Sequence, residues 1–246
     1  MIQTGQQELT DRFIQFYRNY YRDEIEKLAE EYPNDRRSLY VDYNDLFTFD
    51  RDLAEDFLEK PVQMQEYAEE GLRLYESPGD VSLGCAHVRL RGLPEEAAVE
   101  IGDIRVSNDT VGRLCAISAY VQESGDVESV ATEVAFECQR CGTFSYIPQR
   151  GDGLQEPHEC QGCEQEGPFT ANSHRSEYVD RQEATVSPLP ESKTATDDRL
   201  DVYLEDDLAG QLADGDRCRL VGIVEGEMGQ RGKLDYEMHV QSVEEV

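Results

Sequence analysis

Two short stretches, Cys138-Gln-Arg-Cys141 and Cys160-Gln-Gly-Cys163, carry the plainest chemistry in this chain. Two residues between thiolates let one tight turn aim both sulfurs at a single ion. Gly142 and Gly162 stand where such turns bend. About 18 residues separate the pairs, within the roughly 15–20 that let a hairpin bring two such turns together. Four thiolates at ~2.3 Å saturate a tetrahedral zinc ion and leave no open position, so the expected role is structural, not hydrolytic. An iron–sulfur cluster takes the same four ligands and stays open as an alternative. A redox pair or a metal-free core explains two matched pairs less well. His158, two residues before Cys160, reads as a bystander. Cys85, Cys115 and Cys218 each stand alone on an alternating stretch and are expected to pack as small hydrophobes.

Other chemistry is not encoded. The Gly232-Lys233 pair is followed by Leu234 where a P-loop needs Ser or Thr, and Glu227 occupies the first glycine position. No G-x-S-x-G, H-E-x-x-H or GxGxxG occurs. Asp206 and Asp207 are neighbouring carboxylates that read as helix-capping residues near a turn. Catalysis by this chain alone is not expected.

The elements that must position the cysteines follow from periodicity. Phe13, Phe16, Tyr17, Tyr20, Ile25 and Leu28 recur at helical spacing, and Pro33 ends that stripe. Asp50 is placed to cap a second helix carrying Leu53 and Phe57, which stops before Pro61. A third helix carries Tyr67, Ala68, Leu72 and Tyr75 and ends at Ser77-Pro78-Gly79. Val41 and its neighbours read as a short extended piece. The aromatics here are expected in a core, not as a base-stacking platform.

Beyond Pro78 the period changes to two. Alternating stretches surround Val88, Ile117, Val134, Val202 and Met238, broken by turns rich in Gly and Asp. That pattern predicts a small closed or partly closed barrel, with an all-β sandwich as the alternative. The stretches around residues 151–153 and 187–198 read as loops. No long linker divides this part, so the cysteine element is expected as an insertion in the barrel.

The formal net charge is -30, with 38% hydrophobic residues over 246. Acids are spread along the whole chain, and Arg outnumbers Lys. This suits a protein hydrated in a salt-rich cytoplasm, where a Debye length of roughly 3 Å at 1 M makes self-repulsion tolerable. An acidic partner-binding protein in ordinary salt is the other reading. No apolar run reaches the ~20 residues of a membrane span, and the polar first thirty residues lack a signal-peptide core. The cysteines are therefore read as reduced thiols in a cytoplasmic protein.

Several blocks, in order, resemble the N-terminal region of archaeal MCM helicases. They are Val134-Ala-Phe-Glu-Cys138-Gln-Arg-Cys141-Gly-Thr, Glu156-Pro-His-Glu-Cys160-Gln-Gly-Cys163 and Gly167-Pro-Phe. Ser176-Glu-Tyr-Val-Asp180-Arg-Gln, Asp201-Val-Tyr-Leu-Glu-Asp-Asp207, and Asp214-Gly-Asp leading into Gly222-Ile-Val follow. The resemblance implies an α+β layout with a helical subdomain over 1–80 and an OB-fold domain over 81–246. A four-cysteine zinc ribbon would be inserted at about 136–168, with Cys138, Cys141, Cys160 and Cys163 as ligands. It implies a homo-oligomeric ring, or co-assembly with a full-length MCM, that contacts single- or double-stranded DNA without reading sequence. The expected setting is the cytoplasm, at the nucleoid.

Two departures matter. The chain ends at Val246, so the family's ATP-hydrolysing motor is expected to be missing. Residues 120–128, where the family has basic residues around the turn into its second OB strand, are acidic. The C-terminal hairpin keeps Gly229-Gln-Arg231-Gly-Lys233, and Arg231 and Lys233 are the candidate phosphate contacts. The alternative is a motor-less regulatory protein that docks on a full-length helicase with little DNA contact.

Overall fold

The computed structural model describes residues 2–76, 81–104, 109–149, 153–191, 198–228 and 234–245. Arg231 and Lys233 lie outside the described residues.

The N-terminal third is helical. The stripe expected as one helix is broken into α1 (Ile2–Tyr20) and α2 (Arg22–Glu31). The break falls at Tyr21, whose hydroxyl donates to Asp45 Oδ2 (2.8 Å) and accepts from the Asp42 amide (2.8 Å). Phe13, Phe16, Tyr17, Ile25 and Leu28 are buried as expected, whereas Tyr20 is partly exposed. After β1 (Ser38–Asp42) comes α3 (Tyr43–Phe49), too short to show periodicity, started by Asp42, whose side chain accepts from the Asn44 amide. Asp50 caps α4 (Arg51–Glu59), accepting from the Leu53 amide at 3.2 Å. Pro61 opens α5 (Pro61–Arg73), where its missing N–H costs nothing.

β2 (His87–Arg91) had read as a barrel strand. Instead it pairs in parallel with β1, Ser38 opposite His87 through Asp42 opposite Arg91. Its apolar residues join the helical core.

The barrel is built from β3 (Leu114–Cys138), β5 (Phe169–Pro188), β6 (Leu200–Glu205), β8 (Leu234–Glu245) and β7 (Arg217–Met228), hydrogen-bonded in that order. Pairing of β7 with β3 closes it. β4 (Phe144–Pro148) lies outside this ring, on the far half of β3. The alternating stretches at 115–121 and 130–136 are one 25-residue strand. The acidic residues 120–128, expected at a turn, sit mid-strand, with register shifts at Val121/Glu123 and Ser124/Val127.

Period-two geometry explains how the two halves adhere. On β3, Cys115, Ile117, Ala119 and Val121 face the barrel interior. Leu114 and Ala116, with Val221 and Ile223 from β7, face outward into the helical core. One strand therefore supplies apolar surface to both cores, and burying it ties them together. Cys115 and Cys218 are buried in the barrel as expected. Cys85 is not: it is exposed, in a turn before β2.

A polar clasp reinforces the junction. Asp206 and Asp207 do not cap a helix; they open the 3-10 turn Asp206–Leu208 after β6 and reach across to the helical half. Asp206 pairs with Arg37 and with His87 Nε2 (2.8 Å). Asp207 pairs with Arg89, whose side chain is only 5% exposed, and accepts from Ser38 Oγ. Arg89 also donates to Ser38 Oγ (2.7 Å) and to the Gln241 carbonyl (3.1 Å).

Candidate metal centre

The ribbon grows from the outer ends of β3 and β5. β4 folds back on β3 with Val134 opposite Ile147 and Phe136 opposite Ser145. This carries the chain from the first cysteine turn toward the second.

The two turns repeat one backbone pattern. The Cys138 amide donates to the Thr143 carbonyl (2.9 Å), and the Cys160 amide donates to the Gln165 carbonyl (3.0 Å). Gly142 N–H returns to the Cys138 carbonyl (2.8 Å), and Glu164 N–H to the Cys160 carbonyl (2.9 Å). Each turn thus closes on its own leading cysteine and points both sulfurs inward. The turns also pack face to face. A Cβ on Gly162 would lie 2.3 Å from Thr143 Oγ1 and 2.9 Å from its Cβ, so only glycine allows this approach.

All four sulfurs lie within 4.8 Å of one another. Cys138 Sγ is 3.8 Å from Cys163 Sγ, and Cys141 Sγ is 3.5 Å from Cys160 Sγ. A disulfide would need ~2.05 Å. A tetrahedron of sulfurs at ~2.3 Å from zinc has edges of ~3.8 Å, so the four residues fit a metal. Cys138 and Cys160 are buried, Cys163 is half-buried and Cys141 is exposed. Hydrogen bonds from the Thr143 hydroxyl and amide lower the Cys141 thiol to about 6. Loss of solvation and then the neighbouring sulfurs push Cys163 up to about 12. Crowded thiols split in this way when no positive charge is shared, and a dication would ionise them together. His158 is exposed and is not in the cluster.

A closed barrel with a four-cysteine ribbon on its longest hairpin and a helical bundle on its flank defines an OB-fold module. The chain belongs to the MCM family: the MCM OB domain matches residues 103–228 and the MCM N-terminal domain residues 7–80. A crystal structure of the N-terminal domain of an archaeal MCM superposes with a TM-score of 0.76 at 27% identity, covering 98% of this chain and 100% of that one. The minichromosome maintenance protein MCM of Saccharolobus solfataricus is 23% identical over 265 residues, spanning 99% of this chain and 38% of the relative. DNA replication licensing factor mcm6 of Dictyostelium discoideum is 25% identical over 224 residues, 83% of this chain and 24% of that protein. DNA replication licensing factor Mcm2 of Drosophila melanogaster is 26% identical, with 88% and 25% covered. The chain therefore spans well under half the length of these curated relatives. No helix among the described residues is long and apolar enough to cross a membrane.

Proposed function

We propose that this chain is a ring-forming, DNA-binding module of the replication machinery that contacts the nucleic-acid backbone without reading sequence. The observation that carries the reading is the end-to-end superposition on an archaeal MCM N-terminal domain. Its organisation is a helical subdomain over 1–80 and an OB-fold domain over 81–246, from which β2 returns to complete the helical subdomain's core, with the ribbon at about 136–168. Cys138, Cys141, Cys160 and Cys163 hold one structural zinc, which fixes the two turns against each other and leaves no site for chemistry. Arg231 and Lys233 supply the phosphate contacts. The 246 residues turn over no ATP, since no P-loop occurs in them. The working place is the cytoplasm, at the nucleoid, and the dispersed acids are an adaptation to high salt.

A second reading has an observation of its own. Glu123, Asp126 and Glu128 are exposed on β3, and their carboxylates repel phosphate. In that reading the chain docks on a full-length helicase and touches DNA little.

The deciding experiment is a DNA-binding titration at near-native salt, with light scattering on the same sample. Binding that rises with assembly supports the ring. A protein that binds no DNA at any salt, yet co-purifies with a full-length helicase, replaces it with the regulatory reading. A melt series that shows greatest stability at low salt removes the high-salt adaptation.

A further inference from the structure

A second convergence of metal-binding side chains lies on the barrel wall, away from the cysteines. β7 and β8 pair with Glu225 opposite Glu237 and Ile223 opposite His239. Paired residues share a face, and so do residues two apart on one strand. Val224 and Met238, between them, are buried in the barrel interior. Glu225, Glu237 and His239 therefore project together from the outer wall.

Their ligand atoms meet at one point. His239 Nε2 is 3.3 Å from Glu237 Oε1 and 3.9 Å from Glu225 Oε2, and one atom from each residue lies within 4.8 Å of the others. Carboxylates directly opposite on neighbouring strands repel. Among the described residues no lysine or arginine forms an ion pair with either one. Asp201, opposite Glu237 on β6, makes the patch more negative still. The imidazole is positioned from the side: it stacks on Tyr203 at 5.6 Å and 25°, and the Arg181 guanidinium lies 5.6 Å over the same Tyr203 ring.

We propose that Glu225, Glu237 and His239 bind one divalent cation of the manganese-to-zinc class, which bridges β7 to β8, with water filling the remaining positions. Oxygen and imidazole ligands at ~2.1 Å sit ~3.0 Å apart in an octahedron and ~3.4 Å in a tetrahedron, so the observed separations need only small side-chain rotations. Two carboxylates and one imidazole suit Mn²⁺, Co²⁺, Ni²⁺ or Zn²⁺, whereas the four thiolates of the ribbon select softer ions. Mn²⁺ can thus enter this centre while one equivalent of zinc stays in the ribbon. No sequence motif marks the site, because its ligands come together only through the β7–β8 register.

The test is a Mn²⁺ titration of the whole, zinc-loaded chain, followed by electron paramagnetic resonance. Working near 1 M KCl shortens the Debye length to roughly 3 Å and suppresses the diffuse counterions that a -30 protein attracts. The expected result is one saturable site whose pulsed spectrum shows a single imidazole nitrogen. Glu225→Gln with Glu237→Gln, and separately His239→Ala, should each weaken binding at least about tenfold, and the second should erase the nitrogen signal. Asp201→Asn, which removes a neighbouring charge but no ligand, should have the smaller effect. Unchanged circular dichroism and ribbon zinc content in these variants keep misfolding out of the comparison. Many weak equivalents indifferent to the substitutions would mean a counterion atmosphere only, and a site with no nitrogen coupling would exclude His239; either overturns the proposal.

Discussion

Gly142 and Glu164 occupy the same place in the two cysteine turns, each donating its amide to the carbonyl of the leading cysteine from left-handed backbone, at φ of 76° and 54°. Glycine adopts that backbone freely, and a residue with a Cβ pays about 1–2 kcal/mol for it. Glu164 is exposed, so its side chain offers no packing in return. Glu164→Gly should therefore stabilise the zinc-loaded ribbon, by up to about 1 kcal/mol once the freer unfolded chain is counted. Gly142→Ala should destabilise it by a similar amount although its Cβ meets nothing. Denaturant melts of the two variants check the pair; equal and opposite shifts are expected.

The ribbon should fold with its metal. Binding and folding are linked wherever the site does not pre-exist in the unfolded chain. Elemental analysis after dialysis is expected to give one tightly bound zinc per chain, and Cys138→Ser or Cys163→Ser should loosen the ribbon. Gly162→Ala tests the geometry without touching a ligand. Its Cβ would sit 2.3 Å from Thr143 Oγ1, forcing the turns apart, so zinc should leave faster to a chelator. Adding Thr143→Gly to that variant should restore part of the loss. Iron in place of zinc, or no metal, would refute the assignment.

The clasp gives stability a pH dependence. His87 Nδ1 lies 3.4 Å from Glu69 Oε1, and Nε2 lies 2.8 Å from Asp206 Oδ2. The Glu69 hydrogen bond, then Asp206, raise the His87 pKa against burial and the Arg89 charge. A histidine raised in the folded state adds stability fully below its unfolded value of about 6.5, and that stability fades as pH rises through the folded value. Glu69 and Asp206 move the other way. Burial opposes the change, but His87 and other hydrogen-bond partners hold both carboxyls below their ordinary range. Their contribution is present above about pH 4 and is lost in acid. Melts of the wild type and His87→Gln should differ most between about pH 4.5 and 6.5 and converge as pH rises past the raised folded-state pKa of His87.

Arg89 carries more of the junction than its single charge suggests. It is nearly buried, and its partners Ser38, Asp207 and Gln241 come from β1, the 3-10 turn and β8. Removing one member of a buried pair leaves the other charge uncompensated, so Arg89→Ala should cost about 3–5 kcal/mol. Arg89→Met with Asp207→Asn should cost clearly less, since no charge is stranded. A thermodynamic cycle over the two positions measures the coupling; additive effects would mean the pair is not coupled.

Legibility in the sequence followed from whether an element has one buried face. The stripe at Phe13, Phe16 and Tyr17 and the cap at Asp50 were readable because burial and capping leave local periodic marks. The cysteine turns were readable because metal geometry fixes their spacing. β5 was not, since residues 169–180 are mostly exposed on both faces of a ribbon arm and show no alternation. The two halves of β3 looked like separate strands because the acidic residues between them have no apolar phase. β2 alternates like a barrel strand, but partner choice is a tertiary property, and its partner is β1. The carboxylates Asp206 and Asp207 had no local signal, because their cations lie on distant segments.

DNA binding, finally, should be weak per chain and depend on assembly. The OB barrel is a fold that meets backbone and stacked bases without reading sequence. One or two cations per chain give little affinity alone, yet a ring repeats them, and linked weak contacts compound. The -30 charge opposes approach at low salt. High salt screens that repulsion but also shrinks the gain from counterion release. Affinity should therefore be modest over a wide salt range rather than falling steeply, and higher in oligomeric fractions than in monomers. Arg231→Ala with Lys233→Ala is expected to abolish most of it while leaving zinc content and light-scattering mass unchanged. Full retention by this variant would show that the β7–β8 hairpin is not the contact and would direct attention to other faces of the barrel.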